Sequence, residues 1–244
     1  MLSDFEHLSA RERIIVALDC GKEEALALAD ELVGHAHWLK VGMTLFYEQG
    51  PAMVGALKER GFKVFLDLKF HDIPHQVAGA AASATLSGAD MITMHTVGGI
   101  EMMRKAQVQA VQTAAEHGLE APITLGITVL TSMDKQSLED MGIAREVVDQ
   151  VCALAQTAQQ ANLSGVVASP QEAALLRELL GQAAYIVTPG VRPVGAAIGD
   201  QSRVATPLQA LRAGASHIVV GRPITEATNP LQAFEDIVAS IEAP

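Results

Sequence analysis

Residues 14–42 read IIVALDCGKEEALALADELVGHAHWLKVG and contain two short apolar segments separated by a helical one. Ile14–Asp19 and Trp38–Gly42 are almost continuously apolar, as strands covered on both faces are. Lys22–Val33, between them, is rich in Ala, Leu and Glu, which favour a helix. A strand, a helix and a second strand in close succession predict a βαβ unit with parallel strands.

The same alternation continues along the rest of the chain. Further strands are predicted at Lys63–Lys69, Met91–His95, Ile123–Val129, Gly165–Ala168, Tyr185–Thr188 and His217–Gly221. Helical segments between them include Ala52–Arg60, Val77–Leu86, Glu101–Glu116, Glu146–Gln160 and Gln171–Leu180. Eight strands in a chain of 244 residues are typical of an α/β protein of the (β/α)8 TIM barrel class. An open, doubly wound sheet is disfavoured, because no GxGxxG follows the first strand.

No Pro-, Gly- or Ser-rich linker divides the chain. We therefore predict a single (β/α)8 barrel domain over residues 1–244, with a short N-terminal extension at about residues 1–12.

The composition argues against several classes of partner. The chain has 28 Asp and Glu against 17 Lys and Arg, a net charge of −11, which repels nucleic acids and anionic membranes. Cys20 and Cys152 form neither a disulfide framework nor a zinc motif. The charged N-terminal segment lacks the apolar stretch of a signal peptide, and no run of 18 apolar residues is present. We expect a cytoplasmic protein with no nucleic-acid or membrane partner.

Charged residues stand at the ends of the first three predicted strands, where barrels of this type hold their active sites. Asp19 ends the first strand, Lys40 lies in the second, and Asp67 and Lys69 end the third. Asp67 and Lys69 are two residues apart and therefore face the same side of the strand. Asp72 follows in the loop. A structural ion cluster is the alternative, since buried charges need partners, but the strand-end position favours a catalytic role.

Two later segments predict a phosphate site. Gly221 and Arg222 follow the eighth strand, and Arg192 lies in TPGVRP, residues 188–193, after the seventh. The loops after these two strands bind phosphate in many barrels, and arginine binds phosphate in a bidentate manner through two parallel hydrogen bonds.

Seven motifs in order connect the chain to a known family. They are VALD (16–19), LKVG (39–42), FLDLKFHDIP (65–74), TVLTSM (128–133), TPGVRP (188–193), IGDQ (198–201) and VVGRPI (219–224). From about Ile14 onward, the chain resembles the bacterial type of orotidine 5'-monophosphate decarboxylases. Related phosphosugar decarboxylases and synthases share the DxK string but place a metal-binding Glu where this chain has Lys40.

The resemblance implies decarboxylation of orotidine 5'-monophosphate to uridine 5'-monophosphate and carbon dioxide in pyrimidine biosynthesis, without metal or cofactor. It makes Lys69 the proton donor to C6 of the pyrimidine and places Asp67 beside the substrate carboxylate. Lys40 would position Asp67 and contact the ribose. Asp72 would reach the active site of the neighbouring subunit in a homodimer.

The resemblance also implies a set of substrate-binding residues. Asp19 would hold the ribose hydroxyls, and Thr131 and Ser132 would contact the edge of the pyrimidine. The remaining members, on the phosphate side, are Pro189, Arg192, Gln201, Gly221 and Arg222. The small-residue segment Pro193–Gly199 is interpreted as a lid, with an ordinary loop as the alternative.

The chain departs from the family pattern after Pro74. His75 and Gln76 stand where the family has Asn and Thr, so the Gln76 amide replaces the threonine hydroxyl or that contact is lost. His71 and His75 are four residues apart, but Pro74 interrupts the spacing and no HExxH glutamate is present. We therefore predict no metal site.

Two other functions remain open from the sequence. One is a decarboxylase, synthase or Schiff-base aldolase that acts on a phosphorylated sugar, in the last case through Lys40 or Lys69. The other is a phosphate-binding barrel with a regulatory or scaffolding role.

Overall fold

The computed structural model describes residues 5–193 and 205–243. Its strands form one closed parallel barrel in the order β1 to β8. Their bounds are β1 Ile14–Leu18, β2 Trp38–Gly42, β3 Lys63–Phe70, β4 Met91–His95, β5 Ile123–Ile127, β6 Gly165–Val167, β7 Tyr185–Thr188 and β8 His217–Val220. This confirms the (β/α)8 barrel, and each predicted strand overlaps an observed one.

Helices surround the barrel. Their bounds are α1 Ala10–Arg13, α2 Lys22–Leu32, α3 Met43–Gln49, α4 Pro51–Glu59, α5 Pro74–Leu86, α6 Ile100–His117, α7 Lys135–Asp140, α8 Val147–Gln160, α9 Ala173–Leu180, α10 Pro207–Arg212, α11 Arg222–Thr225 and α12 Pro230–Glu242. Several begin with proline in the first turn, where its missing N–H costs no hydrogen bond. Among the described residues, no helix is both long and apolar enough to cross a membrane.

The predicted segment Gln171–Leu180 differs from the structure at its start. Pro170–Glu172 form a 3₁₀ turn, and α9 begins at Ala173. The Ser169 side chain accepts a hydrogen bond from the Gln171 amide and fixes the first turn in this tighter geometry.

Alternate residues of each strand face the barrel interior. Ala17 of β1 lies beside Lys40 of β2, which lies beside Phe65 of β3, and Gly42 lies beside Asp67. The barrel interior holds an apolar cluster, formed by Ile15, Ala17, Trp38, Phe65, Met91, Leu125, Val187 and Val219. The inward-facing positions that form this cluster therefore lead, towards the C-terminal ends of the strands, to the charged residues.

The N-terminal mouth of the barrel is closed by aromatic rings. Phe5 packs edge-on against Tyr185 with ring centroids 4.7 Å apart, and His217 stacks on Tyr185 at 5.7 Å. The Trp38 ring lies edge-on to that of His217, with centroids 5.9 Å apart. His217 is buried, and its Nδ1 has no hydrogen-bond partner among the described residues. Burial, followed by the nearby Arg13 and His37 charges, lowers the pKa of His217 to about 3.

We expect acid to destabilise the fold through His217. The unfolded chain takes up a proton near the ordinary pKa of 6.5, whereas the folded chain resists protonation down to about 3. The free energy of unfolding should therefore fall by up to about 1.4 kcal/mol per pH unit below 6.5. Urea unfolding at pH 7 and pH 5 should show a loss of about 2 kcal/mol that His217→Gln lacks. An equal loss in both proteins would assign the effect to other groups.

Candidate active site

A cavity of about 750 Å³ opens at the C-terminal ends of the strands. Ten of the residues predicted for the site line it: Asp19, Lys40, Asp67, Lys69, Thr131, Ser132, Pro189, Arg192, Gly221 and Arg222. They come from the ends of β1, β2, β3, β7 and β8 and from the loop after β5. The fold therefore brings residues separated by about 200 positions into one pocket, at the end of the barrel that the strand-end argument predicts.

Two lysines and two carboxylates alternate along one wall of this pocket. Lys40 Nζ lies 2.9 Å from Asp19 Oδ1 and 3.7 Å from Asp67 Oδ2. Lys69 Nζ lies 2.7 Å from the same Asp67 oxygen. Since each positive charge lies beside a negative one, the array is neutral and its burial is compensated.

The four groups differ in exposure. The side chains of Lys40 and Asp67 are 9% and 12% exposed, whereas that of Lys69 is 26% exposed and that of Asp19 is 65% exposed. Burial alone would raise the pKa of Asp67, but the adjacent Lys40 and Lys69 ammonium groups outweigh it and lower that pKa. Asp67 is therefore ionised at neutral pH, and its charge keeps the Lys69 ammonium in place.

Gly42 is a further residue of the site and was not among those predicted for it. A Cβ at this position would lie 2.9 Å from Asp19 Oδ1 and 3.1 Å from Lys40 Nζ. The ion pair between these two side chains thus occupies the space that any larger residue would need. The signal in the sequence is a glycine two residues after the strand lysine in LKVG.

The inner part of the pocket is apolar, and none of its residues was predicted for the site. Ala17, Phe65, Ile127, Val167 and Val219 line it, all at inward strand positions. An apolar floor below the ion pairs limits water around the charged groups and strengthens their interactions. Ala17 and Phe65 lie two positions before Asp19 and Asp67, so the alternation along these two strands would have located them.

Cys20 also lines the pocket, next to Asp19. Burial, followed by the negative charges of Glu24 and Asp19, raises the pKa of the Cys20 thiol to about 11. The thiol is therefore protonated at neutral pH and is a poor nucleophile.

Asp72 and Gln76 lie apart from these residues. Neither lines the pocket that residues 5–193 and 205–243 form, and both are exposed. The Asp72 carboxylate accepts a hydrogen bond from the Ile73 amide at 2.6 Å, at the start of α5. Gln201, and all of the predicted lid except Pro193, lie outside the described residues.

His71 and His75 were considered as metal ligands because of their spacing. The ring of His71 lies 5.5 Å from that of His95, on β4. Across the described part of the chain, no group of three or more His, Cys, Asp or Glu side chains is placed to hold a metal ion.

The closed barrel and the charged pocket at its C-terminal mouth define the class of (β/α)8-barrel enzymes that act on small anionic substrates. The sequence model of the "Orotidine 5'-phosphate decarboxylase / HUMPS family" matches residues 12–237. The chain therefore belongs to the orotidine 5'-phosphate decarboxylase / HUMPS family.

Individual relatives resemble the chain over nearly its whole length. The orotidine 5'-phosphate decarboxylase of Moorella thermoacetica is 47% identical over 243 residues, which cover 99% of this chain and 96% of the relative. The orotidine 5'-phosphate decarboxylase of Actinobacillus succinogenes is 48% identical over 230 residues, which cover 94% of this chain and 97% of the relative. The crystal structure of the Lactobacillus acidophilus orotidine 5'-phosphate decarboxylase matches with a TM-score of 0.84 at 36% identity, over 95% of this chain and all of that one.

Proposed function

We propose that this protein decarboxylates orotidine 5'-phosphate to uridine 5'-phosphate and carbon dioxide. The observation that carries the proposal is the alternating array of Asp19, Lys40, Asp67 and Lys69 in the same pocket as Arg192 and Arg222. Membership in the family and the shared name of its relatives support it.

The chemistry explains why a lysine is needed. When the bond between C6 and the carboxylate breaks, carbon dioxide leaves and the electron pair stays on C6 in the plane of the ring, where delocalisation does not reach it. A fixed ammonium beside C6 stabilises this charge and then transfers a proton to form the C6–H bond. Lys69 is suited to this role because its Nζ faces the pocket and is held at 2.7 Å by Asp67. The neutral amine left on Lys69 regains its proton from solvent.

The other charged residues support this step. We assign Lys40 to hold Asp67 from its second side and to contact the ribose, and Asp19, the most exposed of the four, to bind ribose hydroxyls. Thr131 and Ser132 would contact the pyrimidine edge from the loop after β5. Pro189, Arg192, Gly221 and Arg222 would surround the phosphate, and Gln201 remains a predicted member of that group.

The array also argues against the sugar-phosphate alternatives. The Lys40 ammonium contacts both Asp19 and Asp67. These carboxylates therefore hold a cation supplied by the chain itself, whereas the related phosphosugar enzymes have a metal-binding Glu at the position of Lys40. A Schiff base needs an amine with a free electron pair, whereas Lys40 and Lys69 are both engaged with carboxylates.

One assay tests the proposal directly. Addition of orotidine 5'-monophosphate to the purified protein should change the pyrimidine absorbance and release carbon dioxide, with no added metal or cofactor. A folded protein that leaves the absorbance unchanged would refute it. Borohydride added with a phosphorylated sugar distinguishes the aldolase alternative, which would leave a covalent adduct on a lysine.

Phosphate recognition gives a second test. We expect Arg222→Ala to lower kcat/KM for orotidine 5'-monophosphate by roughly 10–150-fold, which corresponds to about 1.5–3 kcal/mol, since it removes a hydrogen bond to a charged group. Orotidine, which lacks the phosphate, should react at nearly the same slow rate with both proteins. Arg212→Ala, at the exposed end of α10, is the matched control. An equal loss with both substrates would place Arg222 elsewhere in the mechanism.

We also propose that the active protein is a homodimer in which Asp72 completes the partner's site. Asp72 is exposed at the edge of the charged mouth, next to Ile73, which is 63% exposed. Val97, in the loop after the adjacent strand β4, is 54% exposed. Exposed apolar side chains on neighbouring loops are suited to an interface between two copies. Gln76, on the first turn of α5, would accompany Asp72.

The remaining expectations concern the cellular location, the cofactor and the partners of the protein. The net charge of −11 supports the absence of a nucleic-acid partner. A cytoplasmic location and a reaction without cofactor stay predictions.

A further inference from the structure

The backbone of Lys69 is unusual for a residue within a strand. Its φ of 54° lies in the left-handed region, which residues with a Cβ rarely adopt. The pairing between β3 and β4 is irregular at the same place, since Leu66 pairs with Ile92 but the next pair is Phe70 with Met94. Residues 67–69 of β3 thus face a single residue of β4, and such a bulge redirects side chains.

That single residue is Thr93, which is fully buried. The Lys69 amide donates a hydrogen bond to Thr93 Oγ1 at 3.0 Å, and Thr93 Oγ1 donates to Asp67 Oδ1 at 2.9 Å. The directions are fixed, because an amide N–H donates, an ionised carboxylate accepts, and a hydroxyl has one proton to give. One hydroxyl therefore links the main chain of one charged residue to the side chain of the other.

We propose that Thr93 is a positioning residue for the reaction: its hydroxyl holds the Asp67 carboxylate and the Lys69 backbone in their reactive arrangement. This inference rests on the proposed function of Lys69 and Asp67. Thr93 itself does not line the pocket formed by the described part of the chain, so it acts through its two neighbours.

The hydroxyl also determines which oxygen of Asp67 meets the lysines. Oδ1 accepts from Thr93, which leaves Oδ2 for Lys69 Nζ at 2.7 Å and Lys40 Nζ at 3.7 Å. Without the hydroxyl, Oδ1 and the Lys69 amide would each lose a partner in a buried place, and both would reorient to recover one. A shift of about 1 Å in the proton donor is enough to slow a reaction about 100-fold.

Thr93→Val tests this with little change of shape. We expect kcat for orotidine 5'-monophosphate to fall by about 10–100-fold while KM changes by less than about threefold, because the residue acts on the reacting groups and not on the ligand. Thr93→Ser, which keeps the hydroxyl, should retain kcat within about threefold of the wild type.

Two further variants separate the hydroxyl from packing. Thr93→Ser and Thr93→Ala both have a smaller side chain than threonine, and only the serine variant keeps the hydroxyl. Their kcat values can therefore be compared even if the valine variant does not fold. Thr85→Val is the matched control: Thr85 is buried in α5, and its hydroxyl donates to the Ala81 carbonyl at 2.8 Å. It should leave kcat and KM unchanged. Equal kcat in the Ser and Ala variants, or a valine variant with wild-type kcat, would overturn the proposal.

A structural readout separates this proposal from the proposed function. In a crystal structure of Thr93→Val or Thr93→Ala, we expect Lys69 to leave the left-handed region or its 2.7 Å contact with Asp67 to lengthen. Wild-type protein that is inactive on orotidine 5'-monophosphate would refute the proposed function alone. Unchanged Lys69 and Asp67 geometry in both variants would refute the role of Thr93, whatever the activity of the wild type.

Discussion

Lys69→Ala is expected to lower turnover of orotidine 5'-monophosphate by at least about 10²–10³-fold, the usual cost of removing one preorganised electrostatic group. The loss should exceed that range, because the same ammonium both stabilises the charge on C6 and supplies the proton. Binding of uridine 5'-monophosphate should persist, since Arg192, Arg222 and the apolar floor remain.

Single-turnover kinetics and calorimetric titration with the product measure these two effects separately. Lys63→Ala is the matched control, because Lys63 lies at the opposite end of the same strand, near Asp90 and Glu120. It should leave turnover unchanged. A Lys69→Ala protein with more than a tenth of wild-type turnover would be incompatible with Lys69 as the proton donor.

Two inactive variants, Lys69→Ala and Asp72→Ala, should restore activity when their subunits exchange. If Asp72 serves the partner's site, a mixed dimer has one site with both defects and one with neither. Random exchange makes half of the dimers mixed, so activity should rise from near zero to about a quarter of the wild-type value.

The control is a mixture of Lys69→Ala with Asp67→Ala. Lys69 and Asp67 contact each other within one chain, so every site of that mixed dimer keeps one defect and no activity should return. Exchange is verified by native mass spectrometry of differently tagged chains. If the mixture with Asp72→Ala stays inactive after verified exchange, Asp72 acts within its own subunit and the shared site is wrong.

The sequence located the strands well because each has a strong local signal. The predicted bounds of β2, β4 and β7 agree with the structure, since these mostly apolar runs end at Gly42, His95 and Thr188. β1 stops at Leu18, one residue before the predicted end, which leaves Asp19 in the loop where its side chain reaches Lys40. β3 instead continues to Phe70, because the bulge opposite Thr93 lets it pair again with Met94.

The candidate site was predictable to a similar degree. Charged residues at strand ends were visible in the sequence. Six charged and four uncharged residues of the predicted site line one pocket. Gly42 and Thr93 were not visible as site residues, because their roles depend on atoms from other strands. Asp72 was visible, but its outward position becomes clear only when the turn into α5 is seen.

The amino-acid sequence alone determined the class of fold, the end of the barrel that carries the chemistry and the charges available there. It could do so because apolar periodicity and residue type are local properties. The tertiary structure decided that Lys40 reaches both Asp19 and Asp67, that Lys69 adopts a left-handed backbone, and that one hydroxyl joins Lys69 to Asp67. These features depend on the register between neighbouring strands and on a bulge in one of them. Such offsets arise from the packing of segments distant in sequence, and no single strand encodes them by itself.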